Sequence, residues 1–263
     1  MFEGAAKPLS EAGISEAASN IGVGLPALWA VMTVETKGCG FYADRRPQIL
    51  FERHIFHRRT NGKFDALNPG ISNKVAGGYG ANGAFQYERL AEAIALDRKA
   101  ALESSSWGLG QVMGFNSVDA GFSDVEAMVS AMCDSEDAQL YAMIGFVTKN
   151  DLAKYLKKSD WAKFAYFYNG SDFQKNSYDT KLATAFARYS VGPLPSLMVR
   201  AAQLYLTFLD RNPGAVDGWF GQKTQKQIIK FQKEAGLETT GQLDPVTIAS
   251  LEKATLSLGQ LPV

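Results

Sequence analysis

The chain has 263 residues, 46% of them hydrophobic and 21% charged, which excludes a disordered protein and leaves room for one large domain plus a small one. Lys and Arg together number 27, as do Asp and Glu, so a formal net charge of zero offers no electrostatic capture of a nucleic acid or an anionic membrane. Two cysteines, Cys39 and Cys133, are too few for a disulfide scaffold and lack the neighbours of a zinc or redox motif; both read as free thiols, a single bridge being the alternative.

The opening residues, MFEGAAKPLSEAG, carry neither the basic start nor the apolar run of a secretory signal, and no later run is long enough to span a bilayer. A cytoplasmic product without membrane insertion is expected. Apolar residues at helical spacing predict helices over 15–21, 25–37, 87–102, 125–143, 152–157, 161–168, 178–189 and 196–209. Alternating strands are scarce, so the expected fold class is mostly α. Between Phe41 and Gly83 the helical pattern lapses, and NPGISNKVAGGYGANG within it is dense in turn-forming Gly and Asn. An irregular connection of that length is usually functional or mobile.

At SVGPLPS, Ser190 to Ser196, a glycine and two prolines interrupt the pattern and divide the chain into 1–190 and 196–263. In the second part DGWFGQKT, starting at Asp217, is echoed by TGQLDPVT, starting at Thr240, with Gly218 matching Gly241, Phe220 matching Leu243 and Thr224 matching Thr247. Each unit reads as a turn feeding a helix. Asp244 is the N-cap of one with Pro245 at its first position; Gly221 or Gln222 opens the other, which Gly236 closes. With the helix over 196–209 they make a three-helix module of about 65 residues, near the small end for independent folding.

The unusual residue of the first part is Glu35, in LWAVMTVETKGCGF. Leu28, Met32 and Glu35 lie at i, i+4 and i+7 on one helix face, while Val31 and Val34 make the other side apolar too. Loss of water around the charged form and the negative end of the helix dipole both raise the pKa of a carboxyl group so placed. A general acid that must keep its proton near neutral pH, as protonation of a glycosidic oxygen demands, needs that setting. The competing reading is a Glu that turns out of the core in the last helical turn. Gly38 and Gly40 favour the first, because they let backbone approach a bulky ligand.

A second cluster, SSSWGLGQVMG from Ser104, has the makings of a groove wall: Trp107 offers a flat face for a sugar ring, Gly108 and Gly110 keep the backbone close, and Gln111 both donates and accepts. A glycine turn opening a core helix has the same look. In FAYFYNGS, Tyr168 and Asn169 are placed to hold an N-acetyl group or orient the acid, with Phe164 in the core. His54 and His57 lack a Cys or acid that completes a tetrahedral set, so neither a metal nor a cofactor is expected.

VETKGCGF, SWGLGQVMG and FYNG, in this order, resemble the lysozyme-like superfamily of muramidases, in which a helix-ending Glu, a G-L-x-Q segment and a Y-N-x motif surround one sugar-binding cleft. With RPQILFERHIF, from Arg46, the chain from about Ile14 to Tyr189 is similar to the N-acetylmuramidase family found in endolysins of phages infecting Gram-negative hosts. The resemblance implies a lysozyme-like helical catalytic domain with Glu35 as the catalytic acid. It also implies hydrolysis of the β-1,4 bond between N-acetylmuramic acid and N-acetylglucosamine, host lysis, a monomer, and passage to the periplasm through a holin or similar pore. No second acid is marked as clearly. Glu52 is the first candidate for a water-positioning base and Asp44 the second; the competing role for Glu52 is bracing the loop against Arg46 or Arg53, and Glu103 is a further carboxylate to exclude. A lytic transglycosylase giving 1,6-anhydro products and a non-catalytic wall-binding protein are the rival functions.

The second part, VDGWFGQKTQKQIIKFQKEAGLETTGQLDPVTIASL, is similar to the three-helix peptidoglycan-binding domain of many cell-wall hydrolases. Phe220, Phe231, Leu243 and Leu251 are expected in its core. Trp219 is expected to be exposed and to touch glycan or stem peptide.

Overall fold

The computed structural model describes residues 2–36 and 39–258, apart from the side chains of Glu35, Thr36 and Asp172. α1 (Glu11–Ile21), capped by Ser10, meets α2 (Leu25–Thr36) at a bend of 105°. Leu28, Ala30, Val31 and Met32 of α2 are all buried, which is the all-round apolar helix expected of the sequence. No single helix among the described residues is long and apolar enough to cross a membrane.

The stretch after α2 is more ordered than its glycines suggest. β1 (Ile49–Phe51) and α3 (Arg53–Arg59) lie within it. The predicted helix over 87–102 is in fact α4 (Gln86–Leu96) and α5 (Arg98–Glu103), because the Asp97 side chain accepts the N–H of Ala100 at 2.9 Å and starts a new helix. β2 (Ser105–Trp107) and β3 (Val112–Met113) follow, and the three strands form one antiparallel sheet in the order β1-β2-β3, with Ile49 opposite Trp107 and Trp107 opposite Val112. The predicted helix over 125–143 likewise divides into α6 (Val125–Asp134) and α7 (Glu136–Lys149), at Ser135, whose hydroxyl accepts from Ala138 N. Both breaks are local caps, short polar side chains inside a run whose apolar spacing continues across them.

α8 (Ala153–Lys157), α9 (Trp161–Asn169) and α10 (Tyr178–Val191) complete the first part. α10 packs along α2, where Thr33 Oγ1 and Tyr189 OH are 2.9 Å apart. α11 (Leu197–Phe208), α12 (Gln222–Glu234) and α13 (Pro245–Ser257) form the C-terminal module.

The repeat inside that module has a physical basis. Gln203 is buried on α11; its amide donates to the Trp219 carbonyl and to Thr224 Oγ1, and its oxygen accepts from Asp217 N and Gly218 N. Gln232, buried on α12, repeats this on the next turn, donating to the Gln242 carbonyl and Thr247 Oγ1 and accepting from Gly241 N at 2.9 Å. The matched Gly and Thr residues are thus the two ends of a glutamine-stapled turn. Phe231 and Leu251 are buried and Leu243 packs against them, whereas Phe220, expected in the core, is 39% exposed.

The module is packed onto the first part. Ala6, Cys39 and Phe41 share one apolar cluster with Ala202, Leu204, Phe208 and Leu251, and the Phe41 and Phe208 rings meet edge-on at 6.3 Å. Arg45 crosses the same seam to the carbonyl of Thr255.

Candidate active site

Three stretches singled out in the sequence converge on one helix, α7. Glu136, at its start, accepts the N–H of Gly40 at 2.9 Å, four residues past the end of α2. One turn on, Gln139 Oε1 accepts the N–H of Leu109 at 2.8 Å while its amide donates to the Met132 carbonyl. A Cβ on Gly40 or on Gly108 would collide with the Gln139 side chain, so both glycines are required by close approach to α7. A further turn on, Met143 packs beneath Gly110, whose carbonyl accepts the Tyr168 hydroxyl at 2.8 Å from the last turn of α9. Residues 136, 139 and 143 fall on one face of a helix. Gly40, the turn over 108–111 and the end of α9 are gathered over it.

Glu35 lies in the last turn of α2, on the face of Leu28 and Met32; its side chain is outside the described residues. Tyr168 is held by its hydroxyl and by its ring, stacked on the fully buried Phe164 at 5.3 Å, and Asn169 ends the same helix half-buried.

Other expected contacts fall elsewhere. Trp107 is 0% exposed, donates its indole N–H to the Leu102 carbonyl at 3.0 Å and packs against Phe2. Its face is closed to a sugar. All three residues of β2 are buried, so the strand has no solvent side toward which an aromatic could turn. Gln111 closes the β2–β3 turn at a φ of +46°, and its amide is spent internally, donating to Gly108 and Gln48 carbonyls and accepting from Ser106 Oγ at 2.9 Å. It braces the β2–β3 turn against Gln48. Trp219 is half-buried against the first part, with the Arg188 guanidinium 4.7 Å over its ring. That ring belongs to the seam between the two parts.

The carboxylates sort by partner. Glu52 pairs with neither Arg46 nor Arg53: Arg46 is bound to Asp44, and Arg53 Nε donates to the Val75 carbonyl. Instead Glu52 Oε1 accepts the Tyr79 hydroxyl at 3.2 Å, and Oε2 lies 3.1 Å from His54 Nδ1 without hydrogen-bond alignment. Burial pushes the Glu52 carboxyl above the usual range, with His54 and Tyr79 pulling the other way. Asp44 is held by Arg46 at 2.9 Å, and Glu103 by Arg59 at 2.6 Å. His57 goes to Asp65 at 2.7 Å, so the two histidines serve different acids.

Sequence reasoning missed Glu136 and Gln139. In CDSEDAQL an acid after a serine cap reads as an ordinary exposed first-turn residue favoured by the helix dipole. Both side chains are instead 0% exposed. Cys39, beside this site, is free and buried, and burial, then the Glu136 charge, push its thiol up to about 12. Cys133 is also free and buried.

A family model described as N-acetylmuramidase matches residues 24–190, and a peptidoglycan binding domain model matches residues 196–251. Among solved structures, the chain is similar to the crystal structure of Burkholderia AP3 phage endolysin, at 44% sequence identity over 70% of this chain and 71% of that one, with a TM-score of 0.66. No curated protein matches the chain.

Proposed function

Because the chain belongs to the N-acetylmuramidase family and carries a peptidoglycan-binding domain, we propose that this peptidoglycan-degrading enzyme of the phage-endolysin type hydrolyses the β-1,4 bond between N-acetylmuramic acid and N-acetylglucosamine. Glu35 protonates the glycosidic oxygen as the bond breaks, and the sugar passes through an oxocarbenium-like transition state. Water attacks from the opposite face, which inverts the anomeric centre. Glu52 is the proposed water-positioning carboxylate, kept in place by Tyr79 and His54. Tyr168 and Asn169 hold the substrate's N-acetyl group.

The observation that carries this reading is the convergence on α7. Gly40, Leu109 and Gly110 are pinned to successive turns of one helix, and Tyr168 is pinned to Gly110. Such support holds groups contributed by distant stretches in the fixed geometry that proton transfer demands. The natural setting is the peptidoglycan of a Gram-negative host, reached through a holin or similar pore, with lysis as the consequence.

The test is digestion of purified sacculi with mass analysis of the released disaccharide-peptides. Hydrolysis gives fragments carrying the added water at a new reducing muramic acid end. Fragments lighter by one water, closed by the muramic 6-hydroxyl, would make the enzyme a lytic transglycosylase instead. Absence of any clearing would make it a wall-binding protein.

A further inference from the structure

We propose that Arg200, a residue of the peptidoglycan-binding module, is a positioning residue of the catalytic centre: through Glu136 it fixes Gly40, four residues past the end of the Glu35 helix. Arg200 sits on the first helix of the module and is 1% exposed. Its Nη2 donates to Glu136 Oε1 at 2.8 Å, and its Nη1 donates to Glu136 Oε2. The same two oxygens accept backbone N–H groups of the catalytic part, Gly40 on Oε1 and Leu9 on Oε2 at 3.0 Å. One carboxylate thus joins three segments that are remote in sequence.

The charge is what makes the joint depend on the module. A carboxylate sealed from water stays ionised only against a well-placed cation, and an ionised carboxylate can accept from both backbone groups and the guanidinium fork together. Burial works against the Arg200 charge, but Glu136 outweighs it and the net shift is upward. Without Arg200, the Glu136 carboxylate loses both guanidinium donors and its counter-charge, and water drawn into the seam competes for its oxygens. That loosens the hold on Gly40. Gly40 is also the residue whose bare Cα rests on Gln139, the side chain that holds Leu109, so the loosening reaches the turn over 108–111. The wall-binding module is therefore part of the catalytic framework as well as an anchor, a conclusion that rests on reading Glu35 as the acid.

Two measurements on the full-length chain test it. In the first, kcat and KM are determined on a soluble peptidoglycan tetrasaccharide, which needs no anchoring to a wall. Arg200→Met should lower kcat of the folded protein about 10- to 100-fold with a much smaller change in KM, and Arg200→Lys, which keeps the charge and loses the fork, should fall between. If Arg200→Met does not fold, Arg200→Lys and the charge-free pair Arg200→Met with Glu136→Gln carry the comparison. In the second, the Gly40 amide is observed directly: Cys39-Gly40 is the only Cys-Gly step in the chain, so carbonyl-13C cysteine with 15N glycine gives one correlated signal. That signal should move and lose exchange protection in Arg200→Lys, in step with kcat. A kcat that holds in the Arg200 variants, or a kcat loss with the Gly40 signal unmoved, would overturn the proposal. Glu35→Gln, measured alongside, separates the two claims: if it remains active while Arg200→Lys still shifts both Gly40 and kcat, the acid is misassigned and the strut stands.

Discussion

The catalytic part and the C-terminal module meet the same problem, buried turns with backbone N–H groups to satisfy, by different chemistry. In the module, Gln203 and Gln232 staple their turns with neutral amides. An amide carries two donors and an acceptor on one uncharged group, so each turn is satisfied within its own repeat and needs no counterion. In the catalytic part Glu136 does the work with a carboxylate, a stronger acceptor that is unstable in a dry site without a cation, and the cation comes from the module. The module's neutral staples stay inside their own repeats, and Gln139, also neutral, joins Leu109 to α7 within the catalytic part, whereas the charged Glu136 ties the catalytic part to the module. A small repeat can therefore be self-contained in its turns while the larger domain beside it depends on that repeat.

The largest effect separates chemistry from support altogether. Glu35→Gln should cut hydrolysis of sacculi by about 10²–10⁴-fold and leave thermal unfolding where it was, because the volume stays and the proton donor goes. Retained activity would move the chemistry to another residue and leave the α7 framework as scaffold only.

Cutting the chain after Tyr189 goes to the heart of the comparison. The fragment takes Arg200 from Glu136 and uncovers the Phe41 face of the seam, so it should be less resistant to urea, by at most about 3–5 kcal/mol, the cost of stranding one partner of a buried ion pair, because the opened seam lets water reach the carboxylate. Were the fragment as resistant to urea as the whole chain, the dependence inferred from the charge would be wrong.

Gln232→Leu probes the neutral side. It strands Gly241 N and the Thr247 hydroxyl, at a cost of about 1–3 kcal/mol. The change should stay inside the module: faster amide exchange in α12 and α13, with hydrolysis of soluble glycan unaltered. Loss of soluble-glycan activity would show the repeat to be less self-contained than its hydrogen bonds indicate.

The smallest effect concerns Glu52. Its folded pKa is raised chiefly by burial, so the stability it contributes is full below its unfolded pKa and is lost as pH rises through the folded value. Glu52→Gln removes that dependence, and the melting temperature of the natural protein relative to the variant should fall as pH rises above the ordinary carboxylate range. A drop in specific activity of the folded variant would support the water-positioning role; unchanged activity with altered melting would leave Glu52 as a brace between Tyr79 and His54.

Much of the architecture was legible because its causes are short-range. Apolar spacing announced α2 and α10, the Asp244-Pro245 pair announced the start of α13, and the Gly and Thr echoes announced a repeated turn, all from residues within a few positions of one another. The overlooked breaks at Asp97 and Ser135 were local too, hidden inside runs whose hydrophobic pattern does not change at the cap. Burial was another matter. Trp107 sits in a glycine-rich stretch that reads as a groove, yet its indole finds the Leu102 carbonyl inside the core, and Glu136 looks like a solvated cap yet meets Arg200 across 64 residues of chain. Periodicity and turn chemistry act along the chain and can be read from it by themselves. Which polar side chain is sealed from water, and which charge answers it, depends on segments brought together only by packing, and that was decided by the tertiary structure alone.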